Sequence, residues 1–189
     1  MEIKELLMEK RFDFISKKNK DFIIEFTDKI KPLNYYYDGS IGTGFERGNY
    51  QIIYTLNGIK NSRSVMSRIF IRDNCKLNLW GKELEFKKNN VLRLYFSNIN
   101  KHIKYIENAS LMIKERFTND SGMCKYCNEE CYKRKIYTIN GKEMVKCCDI
   151  FEYIDPKLKD IDNYIGILTE FYGKKRLKSK KNVKQKTST

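Results

Sequence analysis

The stretch Tyr50-Gln51-Ile52-Ile53-Tyr54-Thr55-Leu56, closed by Asn57-Gly58, decides the fold class. Tyr50, Ile52, Tyr54 and Leu56 alternate with Gln51, Ile53 and Thr55. That two-residue period belongs to a strand with one face on a core. Asn-Gly then signals a turn, because both residues tolerate positive φ. The period recurs downstream. Residues 64–72 place Val65, Ser67, Ile69 and Ile71 on one side. Residues 75–80 alternate Cys75, Leu77 and Leu79 with Lys76, Asn78 and Trp80, and residues 91–96 place Leu92, Leu94 and Phe96 together. These runs predict an antiparallel sheet of about four strands.

Helical patterns flank the sheet. Residues 2–14 and 19–31 read as two helices, the second presenting Phe22, Phe26 and Ile30 and stopped by Pro32. Asn98 is placed to cap a helix over 99–117, with Ile99, Ile103, Ile106, Ser110, Ile113 and Phe117 as one stripe. Asp155-Pro156 reads as a cap and first turn. It opens a last helix over 156–172 that buries Leu158, Ile161, Ile165, Leu168 and Tyr172. The expected fold is α+β: an antiparallel sheet packed against helices, then a C-terminal cysteine-clamped β-hairpin and a closing helix. The expected division is an α+β domain over 1–118, a cysteine, hairpin and helix subdomain over 119–173, and a disordered basic tail over 174–189.

Six cysteines occur, and five lie between residues 124 and 148. The order is Cys124-x2-Cys127-x3-Cys131, fifteen residues, then Cys147-Cys148. Four thiolates make a closed tetrahedral shell for zinc, and a Cys-x2-Cys turn can put two sulfurs on one ion. The fourth ligand needs a return path. Asn140-Gly141 supplies it as a hairpin turn between residues 136–139 and 142–147. With Ile139 and Lys142 flanking that turn, Cys147 falls opposite Arg134, three residues past Cys131. Adjacent strand residues point to opposite faces, so one of Cys147 and Cys148 is expected to serve, with Cys147 favoured. The predicted metal ligands are therefore Cys124, Cys127, Cys131 and Cys147, with Cys148 as the alternative to Cys147. The competing readings are free thiols, an iron–sulfur cluster and redox-active thiols. Cys75 reads as a core residue.

The formal charge is +14, but it is unevenly placed. Residues 174–189 hold eight basic residues and no acidic ones, among them Lys174, Lys175, Arg176, Lys178, Lys180 and Lys181. Without them 30 basic residues face 24 acidic ones, a net of +6. Lysine outnumbers arginine 29 to 9, whereas bidentate recognition of phosphate or guanine favours arginine. The charge thus supports solubility and weak polyanion attraction through the tail without naming a partner, and a solvated tail with no specific partner explains it equally well. No apolar run reaches bilayer length and the N-terminus has no uninterrupted apolar stretch. A cytoplasmic protein without a membrane partner is expected. There, cysteines serve as thiols or metal ligands rather than disulfides.

Other motifs yield less. Gly39-Ser40-Ile41-Gly42-Thr43-Gly44 matches neither dinucleotide nor P-loop spacing and reads as a hairpin loop. His102 is the only histidine and lies off its helix's apolar stripe, as a surface residue would. No carboxylate spacing marks an acid–base pair. Tyr35, Tyr36, Tyr37, Tyr50, Tyr54 and Trp80 suit a stacking face, but core packing explains them better.

Met123-Cys124-Lys125-Tyr126-Cys127, Cys131, Tyr137-Thr138-Ile139-Asn140-Gly141-Lys142 and Lys146-Cys147 precede Phe151 and the last helix. This order resembles uncharacterised proteins of low-GC Gram-positive bacteria that join a YdhG-like α+β domain to a cysteine-bearing C-terminal segment. The likeness spans residues 19–172. It implies a metal-stabilised fold and no established catalysis. The expected function is a small non-enzymatic binding protein with structural zinc that contacts nucleic acid or another polyanion. Two alternatives stand beside it. One is a mobile-element-encoded inhibitor or regulator that occludes a protein or nucleoprotein partner, and the other is a redox or iron–sulfur protein.

Overall fold

The computed structural model describes residues 2–43, 49–59, 64–72, 75–79, 82–86, 90–118, 130–132 and 134–173. The chain is α+β, built on an antiparallel sheet. Before the sheet come α1 (Ile3–Leu6) and α2 (Lys17–Ile30). The strands follow as β1 (Tyr35–Tyr37), β2 (Gly42–Thr43), β3 (Tyr50–Leu56), β4 (Val65–Ile71), β5 (Cys75–Leu79), β6 (Lys82–Phe86) and β7 (Asn90–Tyr95). Then come α3 (Ile103–Asn108), α4 (Leu111–Thr118), β8 (Arg134–Ile139), β9 (Lys142–Cys147), β10 (Ile150–Ile154) and α5 (Ile161–Leu168), which runs into a wide π-helical turn at Thr169–Gly173.

The main sheet runs β1-β3-β4-β7-β10, with β2 sharing the outer edge of β3. β5–β6 and β8–β9 form separate two-stranded ribbons. The register explains the core. Ile52, Ile69, Leu92 and Tyr153 lie side by side across four strands, as do Tyr54, Ser67, Leu94 and Phe151, and all eight are buried. Same-row neighbours share a face, so these rows are the surface on which the helices pack. The alternation read in 64–72 and 91–96 thus selects the observed core face. In β3 it holds for Ile52 and Tyr54. A register shift between Tyr54 and Thr55 then turns Leu56 outward, where it is 39% exposed.

α2 begins after Ser16, whose hydroxyl accepts from the Asn19 N–H at 3.3 Å. Phe22, Ile23, Phe26 and Ile30 are buried on it. Thr27 Oγ1 donates to the Ile23 carbonyl at 2.7 Å and lies 2.8 Å from the Tyr54 hydroxyl. A threonine has one proton to give, so Tyr54 donates to Thr27 and the central tyrosine of β3 is satisfied.

Five expectations require correction. The helix expected over 2–14 is only the single turn α1, followed by a 3-10 turn at Lys10–Phe12. The helix expected over 99–117 is broken. A 3-10 turn at Ile99–His102 leads into α3, Ala109 is extended, and α4 starts afresh. Asn108 donates its side-chain amide to the Lys104 carbonyl and ends α3. Ser110 sits just before α4, with its carbonyl accepting from the Lys114 N–H at 2.9 Å, and so is no part of a buried stripe. The last helix begins at a 3-10 turn, Leu158–Asp160, after a positive φ of 50° at Asp155. Its buried face is Ile161, Tyr164, Ile167, Leu168 and Phe171, rotated from the expected stripe because two aromatic rings turn inward and Leu158 is left 38% exposed. Residues 150–154 form an unexpected strand, β10, and with β1 and β2 it brings the main sheet to six strands among the described residues rather than about four. Residues 75–79 pair with β6, outside the main sheet.

β10 and α5 share one hydrophobic cluster with α1, α2 and the sheet, extending from Ile3 to Phe171. The segment expected as a subdomain from residue 119 therefore contributes its strand β10 and its closing helix to the main core. That core is centred on stacked aromatics. Phe96 lies 4.4 Å from Phe171, 5.2 Å from Phe151 and 5.7 Å from Phe117. Phe117→Ala should destabilise the fold by about 3–5 kcal/mol in urea denaturation, because the cavity opens between several elements. A loss under about 1 kcal/mol would contradict this packing.

The buried tyrosines add a pH limit. Burial raises the Tyr137 hydroxyl to about 12. Burial also raises Tyr54, Tyr153, Tyr164 and Tyr172. A folded pKa above the unfolded one favours the neutral phenol in the folded state. The stabilisation is therefore complete below about pH 10 and is lost as pH rises from there through the folded pKa, about 12 for Tyr137. The urea midpoint should hold to about pH 9 and then fall, with the phenolate absorbance of the buried tyrosines appearing together with unfolding. Ionisation of Tyr54, Tyr137, Tyr153, Tyr164 and Tyr172 near pH 10 without loss of structure would contradict the burial.

Candidate functional site

The β8–β9 ribbon is the element on which the cysteine reading turns. Asn140 has φ 49° and Gly141 has φ 75°, the paired positive angles of a two-residue hairpin turn. Ile139 pairs with Lys142, Tyr137 with Met144, and Arg134 with Cys147. Tyr137, Ile139 and Met144 are buried, whereas Ile136 on the other face is 50% exposed. Polar contacts hold the ribbon against the helices. Tyr137 donates its hydroxyl to the Phe117 carbonyl at 2.8 Å, the Asn140 N–H donates to Glu107 Oε1 at 2.8 Å, and Asn100 donates to the Ile136 carbonyl at 3.3 Å. Lys146 Nζ stands 4.3 Å from the centre of the Phe151 ring.

At the base of the ribbon, the Arg134 N–H donates to the Cys131 carbonyl at 2.8 Å, so the chain turns once between Cys131 and β8. Cys148 follows β9 directly with φ 64°, a left-handed conformation uncommon for a residue with a side chain. Asp149 comes next, its carbonyl accepting from the Phe96 N–H at 2.8 Å. Lys135 Nζ lies 3.5 Å from Asp149 Oδ1. Cys131 and Cys148 are both half-buried thiols, and Cys147 ends β9. Cys124 and Cys127 lie outside the described residues, as do Lys174, Lys175, Arg176, Lys178, Lys180 and Lys181. Among the described residues no three His, Cys, Asp or Glu side chains form a metal-binding group. The residues that are described fit a metal site in one respect: the backbone register returns the end of β9 to within a turn of Cys131.

His102 departs from its sequence reading. Its side chain is 13% exposed, its Nδ1 is 2.8 Å from Glu170 Oε1, and its ring centre is 4.0 Å from that of Phe171. It ties the turn before α3 to the π-helical turn at Thr169–Gly173. Glu170 is 68 residues away, so no local pattern marked the pair. The tyrosines considered as a stacking face are mostly core: Tyr35 and Tyr54 are buried, Tyr36 is exposed at the sheet edge, and Trp80 lies outside the described residues.

The sheet face turned away from the helices carries charge. Ile53, Arg68, Arg93 and Glu152 form one row, beside Gln51, Phe70, Val91 and Ile154. Arg93 donates from Nε and Nη2 to Glu152 Oε1 at 2.9 and 2.6 Å, and its guanidinium lies 4.7 Å over Phe70. Burial opposes the charge on Arg93, but Glu152 outweighs it and raises the pKa. Arg68 reaches Gln51 only at 3.5 Å and lies 6.0 Å over Tyr95. The alternation in β4 and β7 was legible, but which strands adjoin, and hence this row, was not. No helix among the described residues is long and apolar enough to cross a membrane.

A scan against protein-family models, a search of curated proteins and a search of solved structures each returned no match for the chain.

Proposed function

We propose that the protein is a small, non-enzymatic, cytoplasmic binding protein whose C-terminal part is held by a structural zinc ion. The ligands in this reading are Cys124, Cys127, Cys131 and Cys147, with Cys148 as the alternative fourth. The observation that carries it is the β8–β9 register, which sets Cys147 opposite Arg134 while Cys131 lies one turn before that arginine. Four thiolates would close the shell and leave no position for substrate, so the ion would join segments rather than perform chemistry. The left-handed Cys148 favours Cys147 as ligand, since the chain turns sharply at the following residue. The partner in this reading is nucleic acid or another polyanion. Support comes from the net charge of +14 and its concentration in residues 174–189.

Elemental analysis of protein purified without chelators should find about one zinc per chain. Ser substitutions at Cys124, Cys127 or Cys131 should each abolish retention, and only one of Cys147→Ser and Cys148→Ser should do so. A brown protein with visible absorption would instead favour an iron–sulfur cluster, and metal-free protein would refute the site. Deleting residues 174–189 should weaken binding to single-stranded DNA and flatten its dependence on salt. No binding at low salt by the full chain would refute the nucleic-acid partner.

A further inference from the structure

We infer that Arg116, Tyr153 and Tyr164 form a binding site for a phosphate oxyanion. This site is separate from the cysteines and the tail, and it does not rest on the zinc reading.

Three elements converge to make it. Arg116 is in the last turn of α4, Tyr153 is on the core face of β10, and Tyr164 is one turn into α5. The Tyr153 and Tyr164 rings meet edge to face at 4.9 Å and 70°, and Phe22 from α2 supports Tyr164 at 6.1 Å. Both phenols are therefore held by packing before any ligand arrives. The Arg116 guanidinium lies 5.6 Å over the Tyr153 ring.

Two features of this cluster are unexplained by the fold. Tyr153 is 3% exposed, and its hydroxyl has no hydrogen-bond partner. Buried phenols normally find an acceptor, and leaving one out is unfavourable. In addition, Arg116 forms no ion pair among the described residues; its contact is with the Tyr153 ring. An orphaned donor and, over its ring, a cation that no described carboxylate pairs are together the complement of an oxyanion. Burial raises the pKa of both phenols, and the Arg116 charge acts on both in the opposite sense, which places it within electrostatic reach of each. At neutral pH the two hydroxyls are donors.

The chemistry favours phosphate over a monodentate anion. A guanidinium offers several N–H donors in a fixed fork, and two hydroxyls from other elements add donors in other directions. A tetrahedral oxyanion has acceptors enough to meet them. Asp160 opposes binding, since its charge also acts on Tyr164. Beyond it lies Lys157, which feels Lys18 and Lys159 as well as Asp160 and is paired with Asp155. Arg116 is half-buried, so a ligand meets its guanidinium first.

The test uses the full chain and inorganic phosphate at constant ionic strength, read by thermal unfolding and titration calorimetry. Phosphate should raise the wild-type Tm along a saturable curve. Tyr153→Phe should unfold at the same or higher Tm without phosphate, and should bind phosphate at least about tenfold more weakly. Arg116→Gln should lose the saturable response. A chain lacking residues 174–189 should keep it, which separates this site from tail binding. Competition between phosphate and a short single-stranded oligonucleotide would assign the phosphate to a nucleic-acid backbone. Phosphate binding without competition would assign it to a free ligand. The proposal is overturned by a wild-type chain without saturable response, or by equal responses in wild type and both variants. It is also overturned if Tyr153→Phe is less stable than wild type in phosphate-free buffer, because the hydroxyl would then already be satisfied.

Discussion

Four aromatic rings from distant parts of the chain meet at Phe96, and most of the architecture depends on that meeting. Phe96 follows β7, Phe117 lies in the last turn of α4, Phe151 lies in β10, and Phe171 belongs to the π-helical turn after α5. Phe117 and Phe151 also touch each other at 4.3 Å. Each ring comes from an element with too little apolar surface to stay ordered alone, since α4 has eight residues and β10 has five. Their mutual burial offsets the entropy of ordering all four. The periphery is then attached through polar contacts, with Tyr137 bonding the Phe117 carbonyl and His102 resting on Phe171.

This arrangement makes the β8–β9 ribbon part of the common core rather than a separate unit, since Tyr137, Ile139 and Met144 belong to the same hydrophobic cluster. It lies between α4 and β10 in sequence, and both neighbours are fixed in the aromatic cluster. The spacing of its two ends is set by that core as well as by its own register. A metal at the base would add a second fastening to a segment already docked along its side. Such a role suits a stabilising ion better than a reactive one.

Much of the sheet was legible, because alternation is a property of the strand itself. The core face of β4 and β7 follows directly from Ile69, Ile71, Leu92 and Leu94, and the Asn140-Gly141 turn carries its own geometry. What was not legible depended on distant partners. β10 carries apolar residues on both faces, so it has no clean alternation, and Asp149 beside it resembles a turn residue. Its strand nature comes from pairing with β7. The α3–α4 break was legible in principle from Asn108 and Ser110, but a regular isoleucine stripe concealed it. The last helix offered two apolar faces, and the aromatic cluster selected one. Of the sites, the cysteine spacing was visible at once, whereas Arg116, Tyr153 and Tyr164 lie in three separate elements with no motif to join them.

β10 is the last strand to be made, yet it pairs with β7 from Val91 to Tyr95. During synthesis the edge of β7 waits while roughly another sixty residues emerge, several seconds at ordinary elongation rates. Through that interval a twisted, apolar sheet presents open backbone donors and acceptors to any neighbouring nascent chain. Premature termination between α4 and β10 would leave that edge uncovered permanently.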